Sequence, residues 1–219
     1  MIKLEKSEIP TVLKDNADKW LSELQSAIAL GDKKAMEYRT SRYNHPKIKE
    51  AVVQETNGKC AYCEADVVAT SHGDIEHIFP KSLDRTKTFE WSNLGFACEK
   101  CNQNKSNKDP NSEKIIDPYQ VDPRRYINFF HGFINGGGTL EGINTIRILD
   151  LQRAELTERR KHVVETIIKS INAIKNADSV ELKQAIINDF EANELGPHLE
   201  FSAMRHDFWN AFKPKFDSA

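Results

Sequence analysis

The stretch that decides the fold begins with Cys60-Ala61-Tyr62-Cys63 and ends with Cys98-Glu99-Lys100-Cys101. These are the 4 cysteines of the 219-residue chain, and residues 64–97 separate the two Cys-x-x-Cys pairs. Two such pairs can supply four thiolates to one tetrahedral zinc ion, and that shell leaves no position open for a substrate. The sequence therefore predicts a structural Zn²⁺ bound by Cys60, Cys63, Cys98 and Cys101. A redox dithiol and four free buried cysteines are the alternatives.

Between and just after the cysteine pairs stand side chains that suit acid–base and metal chemistry. Glu76 and His77 precede Pro80, Asn93 precedes Leu94, and Asn102 directly follows the last cysteine. Histidine titrates near neutral pH and suits a general base, whereas carboxylate and amide oxygens are ligands for hard divalent ions. Each of these residues alone is more often a cap, a turn or a packing residue, so only their joint order is informative.

In this order the motifs resemble the HNH (ββα-metal) endonuclease family over residues 60–107. The resemblance implies that His77 is the general base of phosphodiester hydrolysis and that Asn93 braces the loop and orients this base. It also implies that Glu76 and Asn102 bind a catalytic ion. Lys105 and Lys81 are the expected contacts to the nucleic acid.

Two of these positions depart from the common family pattern. Glu76 stands where the family more often has Asp or His, and Asn102 stands where the name-giving pattern has His. Both residues offer oxygen ligands, which favours Mg²⁺ or Mn²⁺ over a softer ion. Asp74 lies close by in the sequence and is an alternative or supporting carboxylate.

The flanks of this core are predicted to be mainly helical, which gives an α+β fold with a small ββα-metal unit. We expect an N-terminal helical segment over 1–45, the nuclease core with its zinc knuckle over 46–110, and a helical region over 111–219. The triple glycine Gly136-Gly137-Gly138 predicts a hairpin turn, and Asp178 with Glu181 predicts a capping box. An aromatic stripe from Phe201 to Phe212 is interpreted as core packing.

The charge of the chain limits how strongly it can bind nucleic acid. The net charge is −2, although residues 76–108 hold six Lys/Arg against four acids. Any hold on nucleic acid is therefore modest and local, because strong non-specific binding requires many phosphate contacts. No apolar run reaches the length of a membrane span and no signal peptide is recognised, so we expect a cytoplasmic protein without a membrane partner.

Further motifs resemble one subfamily, the HNH component of Septu-type and retron-associated anti-phage defence systems. They are Tyr43-Asn44-His45-Pro46, Cys60 to Glu64, Ile75-Glu76-His77, Asp117-Pro118, Leu149-Asp150-Leu151 with Leu156, and Arg159-Arg160. The resemblance implies a nuclease that works with an ATPase, for which the helical region 111–219 is the expected docking surface. DNA is the favoured substrate. An RNA endonuclease with the same site and a non-catalytic zinc-knuckle binding module remain alternatives.

Overall fold

The computed structural model describes residues 1–69 and 71–212, in which helices surround two small antiparallel sheets. This confirms the predicted α+β class. In chain order the elements are α1 Thr11–Ala29, α2 Lys33–Thr40, α3 Pro46–Glu55, β1 Asp74–His77, β2 Leu94–Ala97, α4 Glu99–Lys105, β3 Asn128–Phe130, β4 Phe133–Asn135, α5 Leu140–Ile148, α6 Ala154–Lys175, α7 Val180–Glu194 and α8 Ser202–Phe212. Short 3₁₀ helices cover Ser41–Asn44, Arg85–Phe89, Trp91–Asn93 and Pro123–Arg125.

The centre of the molecule is a ββα unit made of β1, β2 and α4. β1 runs antiparallel to β2, with Asp74 opposite Ala97 and His77 opposite Leu94. Cys98 caps α4, because its Sγ accepts a hydrogen bond from the Cys101 amide at 3.5 Å. Since β2 leads directly into α4, the second cysteine pair and the first turns of the helix lie beside β1.

Helix α3 ends shortly before the first cysteine pair. Pro46 occupies its first turn, where a missing N–H costs nothing, and His45 is the cap. The His45 Nδ1 accepts from the Lys47 amide at 3.2 Å, so its side chain caps the helix. The helix ends before Asn57 and Gly58, whose φ angles of 53° and 75° turn the chain toward Cys60.

The N-terminal helices pack on the loop that joins β1 to β2. The ring of Trp20, in α1, meets the ring of Phe89 edge-on at a centroid distance of 5.6 Å. Arg39 of α2 donates to the Glu23 carbonyl, and Arg42 forms an ion pair with the Glu23 carboxylate at 2.5 Å. Helix α2 is thereby tied to α1, and both have a fixed position relative to the ββα unit.

The triple glycine is not the turn of the hairpin, so that prediction is wrong. β3 and β4 pair with each other, and their turn is His131-Gly132, where both φ angles are positive, 47° and 81°. The glycines follow β4 and lead into α5 instead. A Cβ on Gly142 would lie 2.3 Å from the Gly136 carbonyl oxygen, so this part of the glycine run serves a close backbone approach.

The cap of α7 also differs from the prediction. Ser179, and not Asp178, precedes the helix, and its Oγ accepts a hydrogen bond from the Leu182 amide at 3.1 Å. The third residue after the cap is therefore Leu182 rather than an acid, so the predicted capping box does not form. In α8, Met204, Phe208 and Trp209 are buried, in line with the interpretation of the aromatic stripe as core.

Residues 197–203, which we call the C-terminal clasp, hold the segment that carries the first cysteine pair. The buried Lys59 ammonium donates to the carbonyl oxygens of Pro197 and Leu199 at 2.5 and 2.9 Å. The Glu64 carboxylate accepts from the Ala203 amide at 3.2 Å, and the Glu64 carbonyl accepts from the Phe201 amide.

One apolar core extends from the N-terminal helices through the ββα unit to α8. In the described ranges, every helix is too short or too polar to cross a bilayer.

Candidate active site

The four cysteine sulfurs converge on one point. Within the described residues, the Sγ atoms of Cys60, Cys63, Cys98 and Cys101 lie within 4.8 Å of one another, and Cys63 and Cys98 are 3.9 Å apart. A tetrahedral zinc ion with Zn–S bonds of about 2.3 Å requires sulfur–sulfur distances of about 3.8 Å. These thiols could therefore hold one metal ion, and their softness and number fit zinc.

Arg153, which precedes α6, contacts this cluster from the C-terminal side. Its guanidinium donates to Cys101 Sγ at 3.8 and 3.9 Å and to Cys98 Sγ at 3.9 Å. Four thiolates around one Zn²⁺ carry a net charge of −2, which a nearby cation offsets. No motif in the sequence indicates this contact, because Arg153 is far from the cysteines along the chain.

His77 lies at the end of β1, and one hydrogen bond defines the role of each of its ring nitrogens. Its Nε2 is 3.0 Å from the Thr88 carbonyl oxygen, which accepts only, so Nε2 carries the proton and Nδ1 has the free lone pair. The Tyr43 ring meets the imidazole edge-on at 4.5 Å. The tautomer is the one that a general base requires, and neither Thr88 nor Tyr43 was identified from the sequence as part of the site.

Asn93 holds the loop that carries Thr88. Its Oδ1 accepts from the Phe79 amide at 2.7 Å, and its Nδ2 donates to the carbonyl oxygens of Phe79 and Lys87 at 3.0 and 3.1 Å. Because Lys87 directly precedes Thr88, these bonds fix the backbone that binds the imidazole. This arrangement is a brace between the two ends of the loop; that it orients a catalytic base stays a prediction.

Glu76 and Lys105 form a buried ion pair below the site. The Lys105 Nζ lies 2.6 Å from Glu76 Oε1, with side-chain exposures of 1% and 5%, and also donates to the His77 carbonyl at 2.8 Å. Tyr62 donates to the same Oε1 at 3.3 Å. Burial raises the pKa of Glu76, which the Lys105 cation opposes. Since these contacts all use Oε1, Oε2 is the oxygen with which Glu76 could bind a cation.

The predicted phosphate contacts differ in their placement. The Lys105 ammonium points inward and bonds two residues of β1. This geometry does not favour a contact between Lys105 and a phosphate, and that contact stays a prediction. Lys81 instead lies beside the open site, with its Nζ 4.8 Å from the centroid of the Tyr43 ring. Burial lowers the pKa of Lys81.

Asp74 and Asn102 complete the set of oxygen donors. The Asn102 Nδ2 donates to Asp74 Oδ2 at 2.8 Å, which turns the Asn102 Oδ1 away from the carboxylate and leaves it free to bind a cation. Asp74, Glu76, His77 and Asn102 all line one cavity of 450 Å³. Hard divalent ions prefer such oxygen ligands, so the donor set fits Mg²⁺ or Mn²⁺.

A separate cavity of 440 Å³ lies on the other side of the loop. It shares no wall with the cavity just described, and of the predicted site residues in the described chain only Asn93 reaches it. The predicted general base and metal ligands therefore meet in the cavity of 450 Å³ and not in this one.

We expect His77 to make the stability of the protein depend on pH. Burial, and then the Lys81 cation, lower the pKa of His77 from 6.5 to about 3, so between these values the unfolded chain binds a proton that the folded chain does not. As far as His77 is concerned, the free energy of unfolding is therefore highest above pH 6.5. It falls by about 1.4 kcal/mol for each pH unit as the pH decreases from 6.5 toward 3.

Urea unfolding of the wild type and of His77→Gln, without added Mg²⁺, measures this effect. Between pH 7 and pH 4.5 the wild type should lose about 2–3 kcal/mol more than the variant. The cysteine cluster is common to both proteins, so its own pH dependence cancels in the difference. Equal losses would contradict a buried, neutral histidine.

Comparisons with known proteins agree with this geometry. The sequence model of the HNH endonuclease family matches residues 60–108, which contain both cysteine pairs and the cavity residues of β1 and α4. The chain is 26% identical over 234 residues to the Septu protein PtuB of Bacillus mycoides strain KBAB4, covering 91% of this chain and 79% of that protein. It is 30% identical over 176 residues to the Septu protein PtuB of Bacillus thuringiensis, covering 74% of this chain and 68% of that protein. This similarity confirms both resemblances seen in the sequence, and the chain belongs to the PtuB family of Septu proteins, with an HNH endonuclease domain at its centre.

Proposed function

We propose that the protein is a metal-dependent endonuclease that hydrolyses phosphodiester bonds of nucleic acid as the effector of an anti-phage defence system. The observation that carries this proposal is the cavity in which a neutral histidine with a free Nδ1 faces the oxygen donors Asp74, Glu76 and Asn102. The match to the HNH family and the membership of the PtuB family support it.

Each residue of the cavity has a separate role in the proposed hydrolysis. His77 Nδ1 takes a proton from a water molecule while Nε2–H remains bonded to the Thr88 carbonyl. The water oxygen attacks phosphorus, the bond to the 3′-oxygen breaks, and that oxygen takes a proton from solvent. Glu76 and Asn102 would hold Mg²⁺ or Mn²⁺, with Asp74 fixing the Asn102 amide. Such an ion, when bound, stabilises the charge that develops on the phosphoryl and leaving oxygens.

Lys105 acts in this scheme through its neighbours. Its ammonium bonds both the Glu76 carboxylate and the His77 carbonyl, so it fixes the spacing between the metal ligand and the base. The role is one of positioning and replaces contact with a phosphate. Lys81, at the rim of the same cavity, is the proposed phosphate contact.

DNA is the proposed substrate, and RNA is the second candidate with the same site. A metal-bound phosphate and a histidine base serve either polymer, because neither group reads the 2′-hydroxyl. The partner is proposed to be an ATPase, as the Septu resemblance implies, with the helical region after residue 111 as its docking surface. The exposed Val180 and Leu182 on α7 are apolar side chains available for such contact.

Cleavage by the purified chain tests the proposal. Supercoiled plasmid DNA and total cellular RNA are offered in parallel with Mg²⁺ or Mn²⁺, for the wild type, His77→Ala and His72→Ala. We expect cleavage of DNA that His77→Ala slows by about 10²- to 10⁴-fold, the usual contribution of a general base. His72 is exposed and lies just before β1, so its variant is the matched control and should cleave as the wild type does.

The outcomes separate the alternatives. Cleavage of RNA alone would assign the substrate to the second candidate. Cleavage that survives His77→Ala would contradict the proposed base. Absence of cleavage in isolation, and again with the partner ATPase and its nucleotide, would favour a zinc-knuckle binding module without catalysis.

A further inference from the structure

The catalytic cavity continues beyond the HNH domain toward the N-terminal helices. A second cavity of 390 Å³ adjoins it, and the two share Tyr43, Lys81 and Arg85 as walls. The remaining walls of the second cavity come from α2 and the residue after it: Lys33, Met36, Glu37, Thr40 and Ser41. A continuous cleft therefore runs from the metal-ligand candidates on β1 to the first turn of α2.

Three cationic side chains line this cleft. In the part of the chain that the structure describes, Lys33, Lys81 and Arg85 have no carboxylate oxygen within 4.0 Å. Nearby arginines behave differently, because Arg39 and Arg42 are both bonded to Glu23. Glu37 is the one acid among the residues that line the second cavity.

The walls of the cleft are held in place before any ligand binds. The two arginine contacts to Glu23 fix α2 on α1, and α1 packs through Trp20 on Phe89, at the end of the 3₁₀ helix that begins with Arg85. Tyr43 contacts the His77 ring on one side and the Lys81 ammonium on another, at 4.5 and 4.8 Å. A rigid row of unpaired cations that leads away from a phosphodiester cleavage site suits a polyanion.

We propose that this cleft binds the sugar–phosphate backbone on one side of the scissile bond, with Lys81 and Arg85 next to the reacting phosphate and Lys33 at the far end. The inference rests on the proposed nuclease function and assigns the N-terminal helical segment a part in substrate binding. The ligand class is a nucleic-acid strand read through its phosphates and not through its bases. Such contacts give affinity without sequence preference.

Salt dependence of binding tests the cleft. Fluorescence anisotropy measures the Kd of a labelled single-stranded and a labelled duplex oligonucleotide with the inactive His77→Ala protein in Mg²⁺, over a series of KCl concentrations. The same measurement is made with Lys33→Gln and Arg85→Gln added. The logarithm of the association constant (1/Kd) falls linearly with the logarithm of the salt concentration. Each lost phosphate contact lowers the magnitude of this negative slope by about 0.7–0.9, so the two together should lower it by about 1.4–1.8.

The matched control removes two charges elsewhere. Lys169 and Lys175 are exposed on α6 and line neither cavity, so Lys169→Gln with Lys175→Gln changes the net charge equally and should leave the slope unchanged. Equal slopes for the parent and the Lys33/Arg85 variant would overturn the cleft while leaving the proposed function intact. A parent protein that binds neither oligonucleotide would contradict the proposed function and the cleft together.

Discussion

Removal of the metal from the four-cysteine cluster is expected to unfold the ββα unit. The cluster joins the turn before β1 to the cap of α4, and Cys60, Cys63 and Cys101 are buried in the apolar core. Binding of structural zinc contributes about 10–16 kcal/mol in isolated zinc-finger peptides, whereas a whole domain is stable by about 5–15 kcal/mol. Loss of a structural zinc ion would therefore remove about as much free energy as the whole fold has.

Cys101→Ser and treatment with a strong chelator are the two ways to test this. We expect one zinc ion per wild-type chain by elemental analysis, and loss of the cooperative thermal transition in both tests by circular dichroism. Restoring Zn²⁺ to the chelated protein should restore the transition, which controls for damage by the chelator. A Cys101→Ser protein that melts at the wild-type temperature would show that the cysteines are merely buried thiols.

Replacement of Lys105 by methionine should have the second largest effect. Methionine fills a similar volume, but it leaves the Glu76 carboxylate without its cation. Glu76 is only 4% exposed, so its charge would stay buried and unpaired. Removing one partner of a buried ion pair costs about 3–5 kcal/mol, because the remaining charge keeps its desolvation penalty. The His77 carbonyl loses a hydrogen bond at the same time. We expect the free energy of unfolding, measured in urea, to fall by this amount.

A double-mutant cycle distinguishes the ion pair from simple packing. Glu76→Gln removes the charge that Lys105→Met leaves behind, so the double variant should regain at least half of the lost stability. Lys100 is exposed on the same helix, and Lys100→Met should change stability by less than about 0.5 kcal/mol. If the double variant is as unstable as the sum of the single ones, the two side chains are not coupled.

Local motifs made the centre of this fold predictable from sequence. The cysteine spacing favours one point of convergence, and the resemblance to the HNH family implies that Glu76, His77 and Asn102 belong to one site.

Contacts between distant segments were not predictable in this way. The inward course of Lys105 depends on Glu76, 29 positions earlier, and a lysine after Cys-x-x-Cys looks the same whether it faces solvent or core. The hairpin turn was misplaced because three glycines are a stronger local signal than His131-Gly132, although their purpose is to let α5 approach. Thr88 contacts His77 through its backbone, and Arg153 contacts the cysteine cluster through the fold, so neither leaves a motif. Tyr43 stands in a motif, but its sequence position does not indicate its contact with His77.

The C-terminal clasp is synthesised long after the segment that it holds. It follows the first cysteine pair by more than half the length of the chain, so a ribosome completes the predicted catalytic residues well before it makes residues 197–203. Until then the Lys59 ammonium lacks both of its carbonyl partners and cannot leave water without cost. A chain cut before residue 197 is therefore expected to leave the segment of the first cysteine pair partly exposed to water, even though it contains every predicted catalytic residue.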